Sequence, residues 1–400
     1  MNIGIIKETK SPADRRVPLT PVQCRQIMGE YPGIRVYIQS SDDRCFTDHE
    51  YKAQGIPVTT DLGQCDILLG IKEVKPDQLI AGKTYFFFSH TIKKQSQNRE
   101  LLRSALSRQI RLVDYEMLTD SKGVRIIGFG RWAGLAGTYL GIRGFCIREG
   151  IRNLVAIQEC KGLGDLMEQA RTVRLPSVKI ALTGDGRVAG GSEEMLGAFG
   201  IQKVTVDQFL KQGRPDRPVY VQLDPSKYNL LKSGAEFDLA DFFEHPDAYE
   251  SNFGRFCSET DLLIMAAYWD PRAPVLFTPG IMRDPDFGIR VIADITCDIH
   301  GSVPSSIRAT TFENPYYDYD PFTEKEEEAF SNPQNVTVMT IDNLPCGLPK
   351  EASEDFGHNL MKYIIPLLLG DDHDEIIKRA TITESGKLTR RFEYLDEWVK

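Results

Sequence analysis

The sequence predicts two α/β domains, each a doubly wound parallel sheet, with the active site in the cleft between them. Three observations carry this. The chain has 400 residues, more than one core usually organises at roughly 150 to 200 residues per domain. Short apolar runs alternate with helical stretches from Met1 to about Tyr115, and again from Val178 onward, the pattern of a parallel sheet covered by helices. Finally, Gly184-x-Gly186-x-x-Ala189 follows an apolar run directly and precedes a helical stretch, the setting in which a glycine-rich turn closes a strand-to-helix junction.

In chain order, residues 3–6, 35–38, 67–71, 85–89 and 110–113 are the first strand candidates. Thr20-Pro21 places a cap and a first-turn proline before a helix over residues 22–31. Residues 95–107 read as a second helix and 125–129 as a further apolar run. Small residues then recur at three- and four-residue spacing through Gly134, Gly137 and Gly141, which suits a helix that packs very closely, at a domain hinge or a subunit contact. The second series runs through 178–183, 203–206, 262–266 and 290–294, and an insertion-like region between Asp207 and Asp261 resists ordering. A strand over 336–341 and a helix over 352–369 follow, and the acidic run 324–328 reads as a solvated helix face. The expected boundaries are therefore a discontinuous substrate domain, 1–130 plus 320–400, and a dinucleotide domain, 131–319.

Composition removes several function classes. A net charge of −9 opposes nucleic-acid binding, which needs a basic surface. No apolar stretch is long enough to span a bilayer, and the start, Met1 to Lys7, lacks a signal layout, so a cytoplasmic protein is expected. Eight scattered cysteines with no Cys-x-x-Cys pair indicate neither a zinc site nor a disulfide framework.

The glycine turn fits a dinucleotide site, its glycines allowing a tight turn and close approach of pyrophosphate at a helix N-terminus; alone, such a triplet also arises by coincidence. Asp207, about 20 residues on, either accepts hydrogen bonds from the adenosine ribose, favouring NAD over NADP, or caps the helix that starts at Gln208. Lys72 and His90 stand where two apolar runs end. A Lys partly desolvated beside Ile71 would serve as general base on an amine, with His90 as the acid. Taken singly, a surface Lys at a strand terminus and a His held by backbone hydrogen bonds account for them as well.

Glu8-Thr9-Lys10 with Arg16-Val17-Pro18, Gly70-Ile71-Lys72-Glu73, Phe88-Ser89-His90-Thr91, Asp114-Tyr115-Glu116, Phe129-Gly130-Arg131-Trp132, Asp294-Ile295-Thr296-Cys297-Asp298 and Ile341-Asp342-Asn343-Leu344-Pro345 together resemble the lysine-forming saccharopine dehydrogenases. The chain resembles more closely the lysine-ketoglutarate reductase half of the bifunctional animal and plant enzyme, including Thr310 to Pro315. Alanine dehydrogenase and the nucleotide-binding subunit of transhydrogenase are similar more distantly. The resemblance implies an NAD(P)-dependent oxidoreductase acting on a CH–NH bond, interconverting saccharopine with L-lysine and 2-oxoglutarate. It implies Lys72 as base and His90 as acid, and substrate contacts at Arg16, Gln95, Arg125, Phe129, Asp294, Ile295 and Thr296. Cofactor positions fall on Gly184, Gly186, Arg187, Asp207, Tyr268, Ile341, Asp342, Asn343 and Leu344, with NAD expected and NADP open. Arg16 and Arg125 suit a substrate with three carboxylates through bidentate pairing. The rival readings are an alanine-dehydrogenase-type enzyme using ammonia and a catalytically idle NAD-binding subunit. The first is separated by whether Arg16, Arg125 and Lys93 or Lys94 converge.

Overall fold

The apolar runs of the first series become β1 (Asn2–Ile5), β2 (Arg35–Gln39), β3 (Val58–Thr59), β4 (Ile67–Leu69), β5 (Thr84–Phe87) and β6 (Arg111–Asp114). The second series forms β7 (Lys179–Thr183), β8 (Gln202–Lys203), β9 (Val219–Leu223), β10 (Asn229–Leu231), β11 (Tyr249–Ser251), β12 (Leu262–Met265), β13 (Val291–Asp294), β14 (Tyr317–Asp320), β15 (Lys325–Glu327) and β16 (Val336–Met339). Near the C-terminus come β17 (Thr381–Glu384) and β18 (Lys387–Leu388). These elements belong to a computed structural model that describes residues 1–10, 13–151, 154–211 and 213–400.

The chain forms two units, Met1–Phe129 with Pro349–Lys400, and Gly130–Leu348. In the first, the sheet order is β18-β17-β6-β5-β4-β1-β2-β3, parallel from β6 to β3 and antiparallel where β17 joins β6. The order reverses between β4 and β1, which opens a crevice at the carboxyl ends of those strands. Thr20 caps the Pro21–Glu30 helix in a reciprocal capping box with Gln23, so the Thr-Pro signal sets the helix start as expected. Tyr85, Phe87, Leu101, Leu102, Leu112, Ile382 and Leu395 share one core, so the C-terminal segment closes the sheet begun at the N-terminus.

The second unit holds a sheet of order β15-β14-β16-β13-β12-β7-β9-β8, parallel from β16 to β8. Its core gathers Ala181, Val221, Phe253, Leu263, Ile292 and Val338. The Gly130–Arg148 helix lies against the Arg187–Ala198 helix. A Cβ added at Gly134 would stand 2.0 Å from the Val188 carbonyl oxygen, and one at Gly191 2.0 Å from that of Arg131. Gly137 and Gly141 face Ile295 and Ala293 in the same way. The small residues therefore serve close packing inside this unit, where the sequence suggested a hinge or a subunit contact.

Four expectations change. The chain returns to the first unit at Pro349, not near Asp320, because Tyr317–Asp320 and Val336–Met339 hydrogen-bond into the second sheet. Residues 125–129 form no strand; only Arg125 makes an isolated bridge, to Thr119. The acidic run lies on the exposed edge strand β15 instead of a helix, where charges deter pairing with other chains. The described residues of the region 207–261 include β9, a β10–β11 hairpin and a short helix, Leu239–Glu244.

Candidate active site

In the first unit Lys72 and His90 follow adjacent parallel strands. Leu69 of β4 pairs with Phe86 of β5, and the ladder continues through the Phe88 N–H donating to the Ile71 carbonyl at 3.0 Å. The next residues on both strands are thereby held side by side. Glu8, just beyond β1, accepts the backbone N–H of Ile71 at 2.7 Å and of Lys72 at 2.9 Å, clamping the end of β4 across the reversal point of the sheet. Burial of the carboxyl and the neighbouring Asp14 raise Glu8 to about 8, against the two backbone donors and Arg16.

His90 has a φ of 51°, a left-handed conformation uncommon for a non-glycine residue and found where surroundings over-determine the backbone. Its Nδ1 lies 2.5 Å from Glu73 Oε1, and Lys10 Nζ stands 3.7 Å from the other oxygen of Glu73. Burial would raise the Glu73 carboxyl, but the hydrogen bond and charge of His90, with Lys10, outweigh it and hold the group at about 2. An ionised Glu73 can only accept, so Nδ1 donates the hydrogen of this bond and Nε2 is left for exchange with a substrate. The pair has the form of an acid–base residue and its orienting carboxylate.

Glu116, after β6, receives Lys93 Nζ at 3.2 Å and Arg125 Nη2 at 3.3 Å on the same oxygen. Burial opposes its ionisation, yet these two cations keep it below the usual carboxylate range. Lys93 and Arg125 thus converge. Lys94 turns elsewhere, 5.2 Å over the Tyr394 ring. Arg16 is buried, 4% exposed, paired with Asp14 at 3.0 and 2.6 Å and stacked 4.1 Å over Phe129. Phe129 in turn stacks on Phe356 at 4.6 Å. Gln95 is exposed and accepts from Asn98 Nδ2 at 3.3 Å.

In the second unit the other site positions line the carboxyl edge of the sheet. Gly184 ends β7 with a φ of 92°, and a Cβ there would meet the backbone of Ala266 and Ala267 at 3.0 Å, so no larger residue fits this turn without strain. A Cβ at Gly186 would meet nothing within 4 Å, leaving open room at the N-cap of the Arg187–Ala198 helix, with Arg187 exposed in its first turn. Such a cradle, with first-turn N–H groups beside it, fits the pyrophosphate of a dinucleotide. Tyr268 follows β12 and is 75% exposed. Beyond β16, Ile341 and Leu344 are enclosed while Asp342 is exposed and Asn343 half-buried. Beyond β13, the Asp294 carboxylate is enclosed and accepts from Ser306 Oγ at 2.6 Å and Thr296 Oγ1 at 2.7 Å; Ile295 packs on Gly137, and Thr296 is half-buried.

Asp207 does not end a strand. It lies in the Val206–Lys211 helix, exposed and paired with Lys211 at 3.3 Å, and Thr205, not Asp207, receives the Gln208 N–H at that helix start. The strand beside β7 is β9, not β8, and the acid at its end is Asp224. Asp224 is half-buried, accepts the Ser226 N–H at 2.9 Å and stands 3.6 Å from Lys227. Spacing alone missed it because a helix and a short edge strand intervene; the apolar run Val219 to Leu223 ending in an acid was the available signal. Glu8, Glu73 and Glu116 were likewise not assigned roles, since their partners come from other strands.

A cavity of about 810 Å³ in the second unit, lined among others by Arg214, Asp261, Arg283 and Arg290, lies where β12, β13 and β16 begin, at the opposite edge from Gly184. Its charges largely pair with one another: Arg290 reaches Asp261 at 2.8 Å and Glu149 at 2.6 Å.

Residues 4–136 match the family model of the alanine dehydrogenase/PNT N-terminal domain. Alpha-aminoadipic semialdehyde synthase, mitochondrial, of Mus musculus is 28% identical over 99% of this chain, and the match covers 47% of that protein, so the chain spans about half the length of this relative. Saccharopine dehydrogenase [NAD(+), L-lysine-forming] of Candida glabrata is 25% identical, covering 88% of both chains. Among solved structures, an L-alanine dehydrogenase matches with a TM-score of 0.68 at 18% identity over 100% of both chains, a likeness of fold. The two parallel-rich sheets thus have the two-domain Rossmann-like architecture of alanine dehydrogenase, and the chain is similar to the lysine-forming saccharopine dehydrogenases over most of its length and to the alanine dehydrogenase/PNT N-terminal domain over residues 4–136.

Proposed function

We propose that the chain is a nicotinamide-nucleotide-dependent oxidoreductase of the CH–NH bond that interconverts saccharopine and water with L-lysine and 2-oxoglutarate. The observation that carries this reading is the His90–Glu73 contact of 2.5 Å beside the clamped strand end that bears Lys72. In the oxidative direction Lys72 takes the proton of the secondary amine, and the hydride of the glutamate-side carbon leaves with its electron pair. When bound, the nicotinamide supplies the acceptor for that hydride. His90, held by Glu73, then activates water for addition to the substrate imine and returns the proton to nitrogen as the carbinolamine collapses.

Cations stand at two places in the first unit, Lys93 and Arg125 at Glu116 and Arg16 at Asp14, which supports a substrate with several carboxylates over pyruvate, which carries one. Gly184, Gly186 and the N-terminus of the Arg187–Ala198 helix would hold the pyrophosphate. Asp224 would accept from the ribose and disfavour a 2′-phosphate, which favours NAD.

The test is steady-state oxidation of NADH and NADPH with 2-oxoglutarate and a panel of amines including lysine, against pyruvate with ammonia. The expected result is turnover with lysine and its loss in Lys72→Met. Turnover with ammonia and pyruvate alone would assign the alanine-type reaction, and binding of nucleotide without any turnover would assign a non-catalytic role.

A further inference from the structure

The excursion between β9 and β12 builds a core of its own. Phe242, Tyr249 and Ala273 are buried together, with Leu231, Phe237, Ala248 and Trp269 packed around them. The rings of Phe242 and Tyr249 meet edge to face at 5.0 Å, and Phe237 lies 5.4 Å from Tyr249. Two of these residues, Trp269 and Ala273, come from the segment that follows β12. That segment is tied further by Trp269 Nε1 donating to the Pro274 carbonyl at 3.2 Å, by Arg272 on Asp270 at 2.9 Å and by Ser251 Oγ of β11 donating to the Leu276 carbonyl at 2.6 Å.

The position of this segment gives the small core a use. The strand order reverses direction between β7 and β12, so the crevice for a ligand opens between their carboxyl ends. Gly184 lines one lip and the backbone of Ala266 and Ala267 touches it from the other. Tyr268 is the next residue, 75% exposed, while its neighbour Trp269 is fixed in the small core. A large, mostly exposed aromatic ring at a crevice lip, beside a residue packed into the small core and hydrogen-bonded to Pro274, is a stacking platform held in place. The same excursion leaves β9 at Asp224, so it joins both strands that flank β7.

We infer that this small core is a positioning device for the nucleotide: Trp269 is the positioning residue that sets Tyr268 as the wall on which a planar ring of the dinucleotide stacks. The inference rests on the nucleotide reading of the glycine loop and adds to it the part played by residues 225–275.

Calorimetric titration of NADH and NADPH into the full chain tests it, with 5′-AMP and nicotinamide mononucleotide as separate probes to tell which ring stacks. Tyr268→Ala should weaken the nucleotide roughly tenfold or more, and Tyr268→Phe should bind as the parent does. Trp269→Ala should weaken it to a similar extent, Trp269→Phe should restore it, and the double variant Tyr268→Ala/Trp269→Ala should bind no more weakly than Tyr268→Ala alone, since one residue acts through the other. If Trp269→Ala does not fold, Trp269→Leu, apolar but without the aromatic ring that packs into the small core, replaces it with the same expectation. Parental affinity in Tyr268→Ala, additive losses in the double variant, or a lowered melting temperature in Trp269→Ala with unchanged affinity would each overturn the inference. No binding of either nucleotide by the parent chain would overturn the nucleotide reading itself.

Discussion

Glu73 shows how a single carboxylate can decide what its neighbours do. It faces His90 at 2.5 Å and Lys10 at 3.7 Å, and it is held ionised far below the range of a free carboxylate. Glu73→Gln keeps the size of the side chain but removes the charge that orients the ring. Turnover should fall roughly ten- to hundredfold, a part of what positioned acid–base catalysis contributes, with nucleotide affinity unchanged by calorimetry; undiminished turnover would remove Glu73 from the proton chemistry. Asp224 is the matching residue of the second unit. Asp224→Ser should raise the NADPH to NADH ratio of kcat/KM, because a hydroxyl does not repel the 2′-phosphate. A ratio that does not move would return the choice of cofactor to other groups.

At the level of elements, glycines decide how closely two helices approach. A Cβ at Gly191 would fall 2.0 Å from the Arg131 carbonyl oxygen, a backbone atom that cannot swing aside. Gly191→Ala should therefore cost about 1 to 3 kcal/mol or more, read as a lower denaturant midpoint, while Gly197→Ala on the same helix, with open space around it, should not destabilise. Which elements could be foreseen follows from how local their causes are. The Thr20-Pro21 cap and the fully buried strand β7 announce themselves, because capping and apolar runs act within a few residues. Lys72 and His90 were legible as strand-end residues, but Glu8, Glu73 and Glu116 acquire their surroundings from neighbouring strands and from side chains distant in sequence. Asp207 was misplaced for the same reason. A twenty-residue count assumes that the next strand in sequence is the next strand in space, and here β9 takes the place beside β7 while β8 moves to the edge.

For the whole molecule, pH acts on stability through buried carboxyls of opposite tendency, Glu73 and Glu8 among them. Glu73 titrates near 2 in the fold and near 4.5 when free, so its contribution is present above about 4.5 and is lost as pH falls toward 2. Glu8 titrates near 8 in the fold against 4.5 when free; its contribution is complete below 4.5 and declines as pH rises to about 8. Denaturant midpoints of the parent should therefore decline between pH 5 and 8, and the decline should be shallower in Glu8→Gln; equal slopes would show that Glu8 does not carry it. The division of the first unit into Met1–Phe129 and Pro349–Lys400 also bears on how the chain is made. As it emerges from the ribosome, the second unit is one continuous stretch, whereas β6 waits for its neighbour β17, whose pairing begins at Thr381. Through that interval β6 presents an open edge to other nascent chains, so the first unit is begun early and completed late, and a translational stall before Thr381 would leave it with an adhesive border.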